Sequence, residues 1–270
     1  MAIILDSFSQ GSEQWFRERV GSPGGSTINK IITSTGVRSK QRDAYLLQLA
    51  GEKVIGRAEE TYQNQAMLNG IEREGAARAL FEMIYGVDVR QVGIVFKDER
   101  RLCHVSPDGL VRSDAVLELK NPSLSVAVRY LLEKKVPADY LPQCYMEMYV
   151  CERELCYFMS VFEGLAPLII EVHRNEPFIK RLTEELDAFA EDLAETVRKI
   201  EACGGFVRMA QVERKLSGAT NPWRGRGESP AEPQVEEYAP SECPDRPGTK
   251  MTKKYCDKTC KDRLGCVAWQ

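Results

Sequence analysis

The chain has 270 residues, of which 43% are hydrophobic and 29% charged, and its formal net charge is −3. This composition is near the average of globular proteins, so it argues against collagen-like and wholly disordered chains. The two histidines, His104 and His173, are too few for a multi-histidine metal site and argue against Ser-His-Asp hydrolysis. If the protein is an enzyme, carboxylates, lysine or thiolates therefore carry its chemistry.

Signals for membrane insertion and secretion are weak. No apolar run approaches the ~18 residues that a membrane-spanning helix needs. The apolar stretch at residues 2–5 is too short for the core of a signal peptide. We therefore expect an intracellular, cytoplasmic protein that does not associate with membranes.

The predicted elements alternate between helical and extended patterns along the chain. An amphipathic turn around Trp15 comes first, and Ser26 stands where an N-cap would begin the next helical turn. Apolar spacings of three and four predict helices at residues 42–57, 67–84, 124–135, 140–150 and 178–202. A period near two predicts strands at residues 91–96, 102–106, 115–120, 156–162 and 166–172. This order predicts an α/β (α+β) fold.

The helix predicted at residues 67–84 carries a carboxylate on its apolar face. Its apolar row runs through Ala77, Phe81 and Ile84, and position 74 of the same row is Glu74. A buried carboxylate is costly unless another group pairs with it. Glu74 is therefore a candidate functional residue.

The segment HVSPDGLVRSDAVLELKNP, residues 104–122, is the most informative part of the chain. Asp108 is predicted to end one strand, and Glu118 and Lys120 lie at alternate positions of the next, so both face the same side. A turn can bring Asp108 opposite them. Carboxylates of this kind hold a divalent cation that activates water and offsets charge in phosphodiester hydrolysis, and a lysine can hold the attacking water. The same residues also occur as an ordinary turn and an exposed strand edge, so the spacing leaves both readings open.

These residues resemble the core of the PD-(D/E)xK nuclease superfamily. The order Asp108-x9-Glu118-x-Lys120, after a helix that bears Glu74, matches that core. The resemblance implies a restriction-endonuclease-like fold, in which helices flank a mixed β-sheet.

More narrowly, the chain resembles the lambda-type phage exonucleases, also called YqaJ-like viral recombinases. QGSEQWFRERVG at residues 10–21 resembles the family pattern Q-x-S-x-x-W-x-x-x-R-x-G, and GIEREGAARALFE at residues 70–82 resembles its acidic helix. YLPQCYMEMYV at residues 140–150 resembles its Y-x-x-Q helix. The resemblance extends from residue 10 to about residue 202.

The family resemblance implies an activity and partners. It implies a Mg²⁺-dependent (or Mn²⁺-dependent) exonuclease that degrades one strand of linear duplex DNA from 5′ to 3′ and prefers a 5′-phosphorylated end. The resulting 3′ single-stranded tails would serve phage-type recombination. A ring-shaped homotrimer, a single-strand annealing protein as partner and, for a phage-encoded chain, the host cytoplasm are also implied.

The resemblance also implies catalytic roles for individual residues. Asp108 and Glu118 would bind the catalytic metal, and the carbonyl of Leu119 would assist them. Glu74 would serve a second Mg²⁺, and Lys120 would position the attacking water.

Further residues would bind DNA by the same resemblance. Arg19, Ser26 and Ser106 would hold phosphate, and Gln143 would line the site. One departure concerns the helix after LELKNP, where the family can place a basic residue that binds phosphate. Here the stretch is SLSVAV, and Arg129 is the nearest base.

The end of the chain differs in composition from the rest. We predict a nuclease domain at residues 1–210, a flexible Pro-, Gly- and Glu-rich linker at 211–242, and a cysteine-rich module at 243–270. The module carries seven Lys and Arg against three Asp, a net charge of +4. Its C-x12-C-x3-C-x5-C spacing suits a tetrahedral Zn²⁺, and the ligands would be Cys243, Cys256, Cys260 and Cys266. An iron–sulfur cluster or unliganded thiols are the alternatives.

Two other functions compete with the exonuclease. An endonuclease or junction resolvase on the same core would cut closed circular DNA, which an exonuclease spares. A non-catalytic DNA-binding recombination partner would act through the cysteine-rich module at residues 243–270. The complete Asp108, Glu118 and Lys120 set argues against this alternative.

Overall fold

The computed structural model describes residues 1–58 and 65–204, with only the backbone described for residues 65–72. The described residues belong to one compact unit, Met1–Val212. The predicted linker and the cysteine-rich module at residues 211–270 lie outside the described residues, so the predicted division of the chain stays a prediction.

The helices of the described part occur close to the predicted positions. None of these helices is both long enough and apolar enough to cross a membrane. They are α1 (Glu13–Arg19), α2 (Arg42–Ile55), α3 (Gln65–Tyr85), α4 (Leu124–Glu133), α5 (Leu141–Cys151) and α6 (Glu176–Ala202), with short 3-10 helices at Gly25–Lys30 and Ala138–Tyr140.

Two sheets contain the strands of the described part. The smaller sheet is antiparallel in the order β1-β3-β4, and the larger follows the order β2-β5-β6-β7-β8. In the larger sheet only the β6–β7 pair is parallel, and α4 and α5 connect its two strands. The strands are β1 (Ile3–Leu5), β2 (Val89–Arg90), β3 (Ile94–Phe96), β4 (His104–Val105), β5 (Gly109–Val111), β6 (Ala115–Lys120), β7 (Leu155–Ser160) and β8 (Leu168–His173). A mixed sheet flanked by helices confirms the predicted fold class.

Helix α6 shows how the apolar pattern builds the main core. Asn175 caps the helix by accepting a hydrogen bond from the backbone N–H of Phe178 at 3.0 Å, as an N-cap side chain does. The apolar face of the helix then packs inward. Its buried members are Phe178, Ile179, Leu182, Leu186, Phe189 and Leu193.

Strand β6 separates two apolar layers because its side chains alternate between the faces of the sheet. Leu117 and Leu119 pack in one layer with Phe81 of α3. Val116 packs in the other layer, with α5 and α6. Glu118 shares the face of Val116, so β6 directs this carboxylate towards α5.

Several local expectations are wrong. Ser26 is no N-cap: the short helix begins at Gly25 with Gly24 in the cap position, and no side chain caps it. Asp108 does not end a strand but stands directly before β5, a strand that the sequence pattern missed together with β1 and β2. Ile84 is 47% exposed, because α3 turns this end of its predicted apolar row towards solvent.

Gly93 permits a close approach of backbone between β1 and β3, which gives a test of the fold. An added Cβ would lie 2.5 Å from the carbonyl oxygen of Phe8 and 2.9 Å from that of Leu5, which already accepts a hydrogen bond from Gly93. We expect Gly93→Ala to lower the free energy of unfolding by about 2 kcal/mol, because backbone atoms must move to relieve the overlap.

The matched control is Gly51→Ala inside α2, where an added Cβ meets nothing within 4 Å. This change should raise the free energy of unfolding by about 0.5–1 kcal/mol, since alanine favours a helix over glycine. Urea unfolding followed by circular dichroism measures both variants. Equal stability of the two would contradict the packing described for Gly93.

Candidate active site

The β5–β6 hairpin brings Asp108 beside β6. Its register pairs Gly109 with Leu117, which places Asp108 near the end of β6. There the Oδ2 atom of Asp108 accepts a hydrogen bond from the backbone N–H of Leu119 at 2.5 Å. Asp108 is thus held against the backbone of β6, close to Glu118 and Lys120.

Lys120 and Glu118 form an ion pair on the face of β6 that meets α5. Glu118 is 2% exposed, whereas the Lys120 side chain is 22% exposed. The ammonium of Lys120 also lies 3.5 Å from Oε1 of Gln143 and 4.8 Å from the ring centre of Tyr140. The lysine is therefore surrounded by groups that favour a positive charge.

Glu74 joins the same cluster through an arginine of its own helix. Arg78 binds Oε1 of Glu74 at 2.5 Å through one guanidinium nitrogen and the backbone carbonyl of Asp108 at 2.9 Å through another. This bridge explains how a half-buried carboxylate persists on the inner face of α3, beside the buried Ala77 and Phe81.

Helix α5 adds a fourth carboxylate that the sequence analysis did not single out. Glu147 is 1% exposed, and its Oε1 accepts a hydrogen bond from the side-chain amide of Gln143 at 3.0 Å. The signal was present in the sequence, because Glu147 interrupts the buried run of Met146 and Met148 just as Glu74 interrupts its own apolar row. Arg78 was missed as well, since its partners are known only once α3 meets the β5–β6 hairpin.

The carboxylates disfavour each other's charge. Burial raises the pKa of Asp108 well above its ordinary value, and the charges of Glu118 and Glu74 add to this effect. Burial and then Glu118 raise the pKa of Glu147 in the same way. Burial also raises the pKa of Glu74, against the opposing charge of Arg78.

Lys120 responds to these charges in the opposite sense. Burial alone would lower the pKa of its ammonium, but the negative charges of Glu118 and Asp108 outweigh burial and raise it. Lys120 therefore stays protonated at neutral pH and offsets part of the negative charge of the cluster.

The donor chemistry of this cluster suits a hard divalent cation. Carboxylate and carbonyl oxygens are the ligands that Mg²⁺ prefers, and the raised pKa of Asp108 marks negative charge that a cation would offset. Within residues 1–58 and 65–204, however, no three His, Cys, Asp or Glu side chains are arranged as a metal site. The carboxylates instead engage internal partners: Asp108 the N–H of Leu119, and Glu118 the ammonium of Lys120.

A second group of residues fastens the N-terminal motif to the loop before Asp108. The indole N–H of Trp15 lies 2.9 Å from the hydroxyl of Ser106, and the amide of Gln10 donates to the carbonyl of Pro107 at 3.0 Å. The guanidinium of Arg19 lies 3.8 Å from the centre of the Trp15 ring. Arg19 and Ser106 thus share one aromatic neighbour, Trp15, next to the loop before Asp108.

His104 packs against the backbone at Gly24, directly before the 3-10 helix at Gly25–Lys30. It is 2% exposed, and burial, followed by the charge of Arg19, lowers its pKa to about 3. The ring is therefore neutral at physiological pH. An added Cβ on Gly24 would lie 2.8 Å from its Nε2 atom, so only glycine fits between this ring and the chain.

Not every predicted site residue joins the cluster. Ser26 is exposed in its 3-10 helix, and no contact within the described part of the chain connects it to Asp108 or Lys120. The predicted zinc ligands, Cys243, Cys256, Cys260 and Cys266, lie outside the described residues. The cysteines at 103, 144, 151 and 156 are buried and free, as small hydrophobic side chains usually are, whereas Cys203 is free and exposed.

The family comparison matches the region that holds this site. A family model described as the YqaJ-like viral recombinase domain matches residues 14–154. These residues make up more than half of the chain and include every predicted catalytic residue. None of the curated proteins matches the chain significantly.

Solved structures share the fold. The chain is similar to an alkaline exonuclease, LHK-Exo, from Laribacter hongkongensis, with a TM-score of 0.66 and 24% identity over 72% of this chain and 98% of the other. The same figures apply to a structure of LHK-Exo in complex with dAMP. A phage related exonuclease from Haemophilus somnus 129PT gives a TM-score of 0.53 and 13% identity over 66% of this chain and 96% of the other.

The raised pKa of Asp108 predicts how stability depends on pH. The folded protein holds a proton on Asp108 that the unfolded chain releases above the ordinary value of 3.8, so this stabilisation is lost as pH rises through the folded pKa. Asp108→Asn removes that titration. In EDTA, the variant should therefore gain stability over the native protein as pH rises from about 4 to about 7.

Asp98→Asn serves as a control of opposite sign. Hydrogen bonds from Arg100 lower the pKa of Asp98, so its contribution is present above the ordinary value and is lost as pH falls. The variant should become less stable than the native protein as pH rises. Urea unfolding at several pH values measures both variants. If the stability difference between Asp108→Asn and the native protein did not change with pH, the raised pKa of Asp108 would be contradicted.

Proposed function

The chain belongs to the family of YqaJ-like viral recombinase domains, and from this membership we propose that it degrades one strand of linear double-stranded DNA from 5′ to 3′. Family membership and the fold shared with an alkaline exonuclease support its class as a DNA exonuclease, a hydrolase. The 3′ single-stranded tails left behind would feed phage-type recombination by strand annealing.

The observation that carries the proposal is the joining of Asp108, Glu118 and Lys120 in one buried cluster. Asp108 meets the end of β6, and Lys120 pairs with Glu118. The sequence pattern also allowed an ordinary turn and an exposed strand edge. An exposed edge would leave Glu118 open to solvent, whereas Glu118 is only 2% exposed. Burial of like charges at one point is typical of catalytic sites.

Mg²⁺, or Mn²⁺ in its place, would be held by Asp108, Glu118 and the carbonyl of Leu119, with Glu74 serving a second ion. Bound there, the metal would lower the pKa of water and offset negative charge on the phosphodiester. The protein would hold these carboxylates in place through Arg78, which binds both Glu74 and the backbone of Asp108.

Lys120 would hold the attacking water and stabilise the charge that develops on phosphate. Its ammonium keeps its proton beside Glu118 and Asp108, so it acts as a hydrogen-bond donor and a fixed positive charge. Its partial exposure leaves it within reach of a substrate, whereas Glu118 lies deeper.

DNA would approach across the surface that contains Arg19, Ser26, Ser106 and Gln143. The contacts of Arg19 and Ser106 with Trp15 support a shared phosphate pocket next to the catalytic loop. The complex of LHK-Exo with dAMP is consistent with release of mononucleotides by an enzyme of this fold.

The proposal extends to assembly and to the end of the chain. A ring-shaped homotrimer would keep the enzyme on its duplex, and a single-strand annealing protein would receive the product strand. The four C-terminal cysteines would bind a structural Zn²⁺, and the basic residues around them would contact DNA or the partner protein.

The direct test is digestion of end-labelled linear duplex in Mg²⁺. A label on the 5′-terminal nucleotide should be released first, while a label at the 3′ end should stay on shortening strands. Asp108→Ala or Glu118→Ala should slow digestion by at least about a thousandfold, because several kcal/mol of charge stabilisation is lost. EDTA should stop the reaction.

Controls separate the competing functions. Asp98→Ala removes a carboxylate that pairs with Arg100 and belongs to no ion pair of the cluster, so this variant should digest at the native rate. Closed circular duplex should stay intact, and its cleavage would instead identify an endonuclease or resolvase. A native protein that binds DNA ends without cutting them in Mg²⁺ or Mn²⁺ would refute the exonuclease.

The phosphate pocket has its own prediction. Duplex with a 5′-hydroxyl end should be digested about tenfold more slowly than duplex with a 5′-phosphate, because a charge-assisted contact is missing. Arg19→Ala should shrink that difference. Arg17→Ala is the matched control, since Arg17 is exposed on the same helix and pairs with Glu13 at 2.5 Å. If both ends were digested at equal rates, Arg19 would not bind the terminal phosphate.

A further inference from the structure

Glu147 occupies an unusual position for a charged residue. It lies in the middle of α5, 1% exposed, between Met146 and Met148, which are both fully buried. A carboxylate buried at such a place costs free energy unless other groups pair with it or donate hydrogen bonds to it. One contact is the hydrogen bond that its Oε1 accepts from the side-chain nitrogen of Gln143, one helical turn earlier, at 3.0 Å.

This hydrogen bond determines which way the amide of Gln143 faces. A glutamine amide has a donating nitrogen at one side and an accepting oxygen at the other. With the nitrogen held by Glu147, the oxygen is directed towards the ammonium of Lys120, 3.5 Å away. The reversed amide would present N–H groups to an ammonium that can only donate, which is unfavourable.

The ammonium of Lys120 is held by attractive contacts on two sides. On one side it pairs with Glu118, and on the other it meets the oxygen of Gln143 and the ring of Tyr140 at 4.8 Å. Without the amide oxygen, the ammonium would be drawn towards the carboxylate alone. A catalytic group that moves by a fraction of an ångström loses much of its effect on the transition state.

We propose that Glu147 is a positioning residue: by orienting the amide of Gln143, it holds the ammonium of Lys120 where the nuclease reaction requires it. The inference rests on the proposed function, because Lys120 is assigned its role there. Glu147 itself touches neither substrate nor metal in this scheme. It acts through a chain of two side chains that joins the buried core of α5 to the catalytic lysine.

A purely structural Glu147 would behave differently. If Glu147 only stabilised the fold, its replacement would lower stability and leave the rate of the folded enzyme unchanged. A positioning residue predicts the reverse, because Glu147→Met also removes the burial cost of the carboxylate and its unfavourable interaction with Glu118. Glu147→Met should therefore lower kcat without lowering the free energy of unfolding.

The experiment measures kcat and KM for a 5′-phosphorylated linear duplex with the full-length chain, together with urea unfolding. Glu147→Met should lower kcat about tenfold, the effect of one lost orienting hydrogen bond, with KM little changed and stability kept. Glu147→Gln should retain most of kcat, because its side-chain oxygen can still accept from Gln143. Met146→Leu, a neighbouring buried change of similar volume, should leave kcat at the native value.

A double variant tests whether the two residues act as one unit. Gln143→Met should lower kcat to a similar extent, and adding Glu147→Met to it should cost little more, since residues in one chain of contacts are not additive. If Glu147→Met failed to fold, the other two variants would still test the inference, because native kcat in Gln143→Met or a strong loss of kcat in Glu147→Gln would overturn it.

The outcomes that overturn the inference are distinct from failure of the proposed function. A native chain that digests no duplex refutes the function before any variant is compared. With an active native enzyme, the inference is overturned by native kcat in Glu147→Met, by a change in KM alone, by a glutamine variant as slow as the methionine one, or by additive losses in the double variant.

Discussion

The constraint on which the rest of this structure depends is the burial of several like-charged carboxylates beside one lysine. Glu118 and Glu147 are almost fully buried, and burial, followed by the charges of Glu118 and Glu74, raises the pKa of Asp108. Such a cluster reduces stability unless the surrounding structure is rigid and well packed. Strand β6 meets this demand, because it pairs with neighbours along both edges and lies between two apolar layers.

The elements around β6 each hold one member of the cluster in place. Helix α3 reaches Asp108 through Arg78, and α5 reaches Lys120 through Gln143. The N-terminal motif fastens the loop before Asp108 from a third direction, since Gln10 and Trp15 bind its backbone and side chains. The N-terminal motif is therefore a structural support of the loop before Asp108.

Periodicity predicted the long elements well because burial of one face dominates their energetics. Helix α6, with one buried apolar face, occurs where the spacing predicted a helix, and β6 has the predicted limits, Ala115–Lys120. Short strands such as β2 and β5 escaped notice, since two or three residues cannot establish a period. Ser26 was misplaced because glycine can also begin a helical turn, as Gly24 does here.

The sequence by itself determined the residue types and the order of the candidate site, because Glu118 and Lys120 stand at alternate positions of one strand and a hairpin can bring Asp108 opposite them. Only the tertiary structure decided what surrounds them. Glu147 and Arg78 come from helices distant in the chain, and their partners depend on how α3 and α5 pack against the sheet. Packing between remote segments sets burial and charge proximity, which a local pattern does not contain.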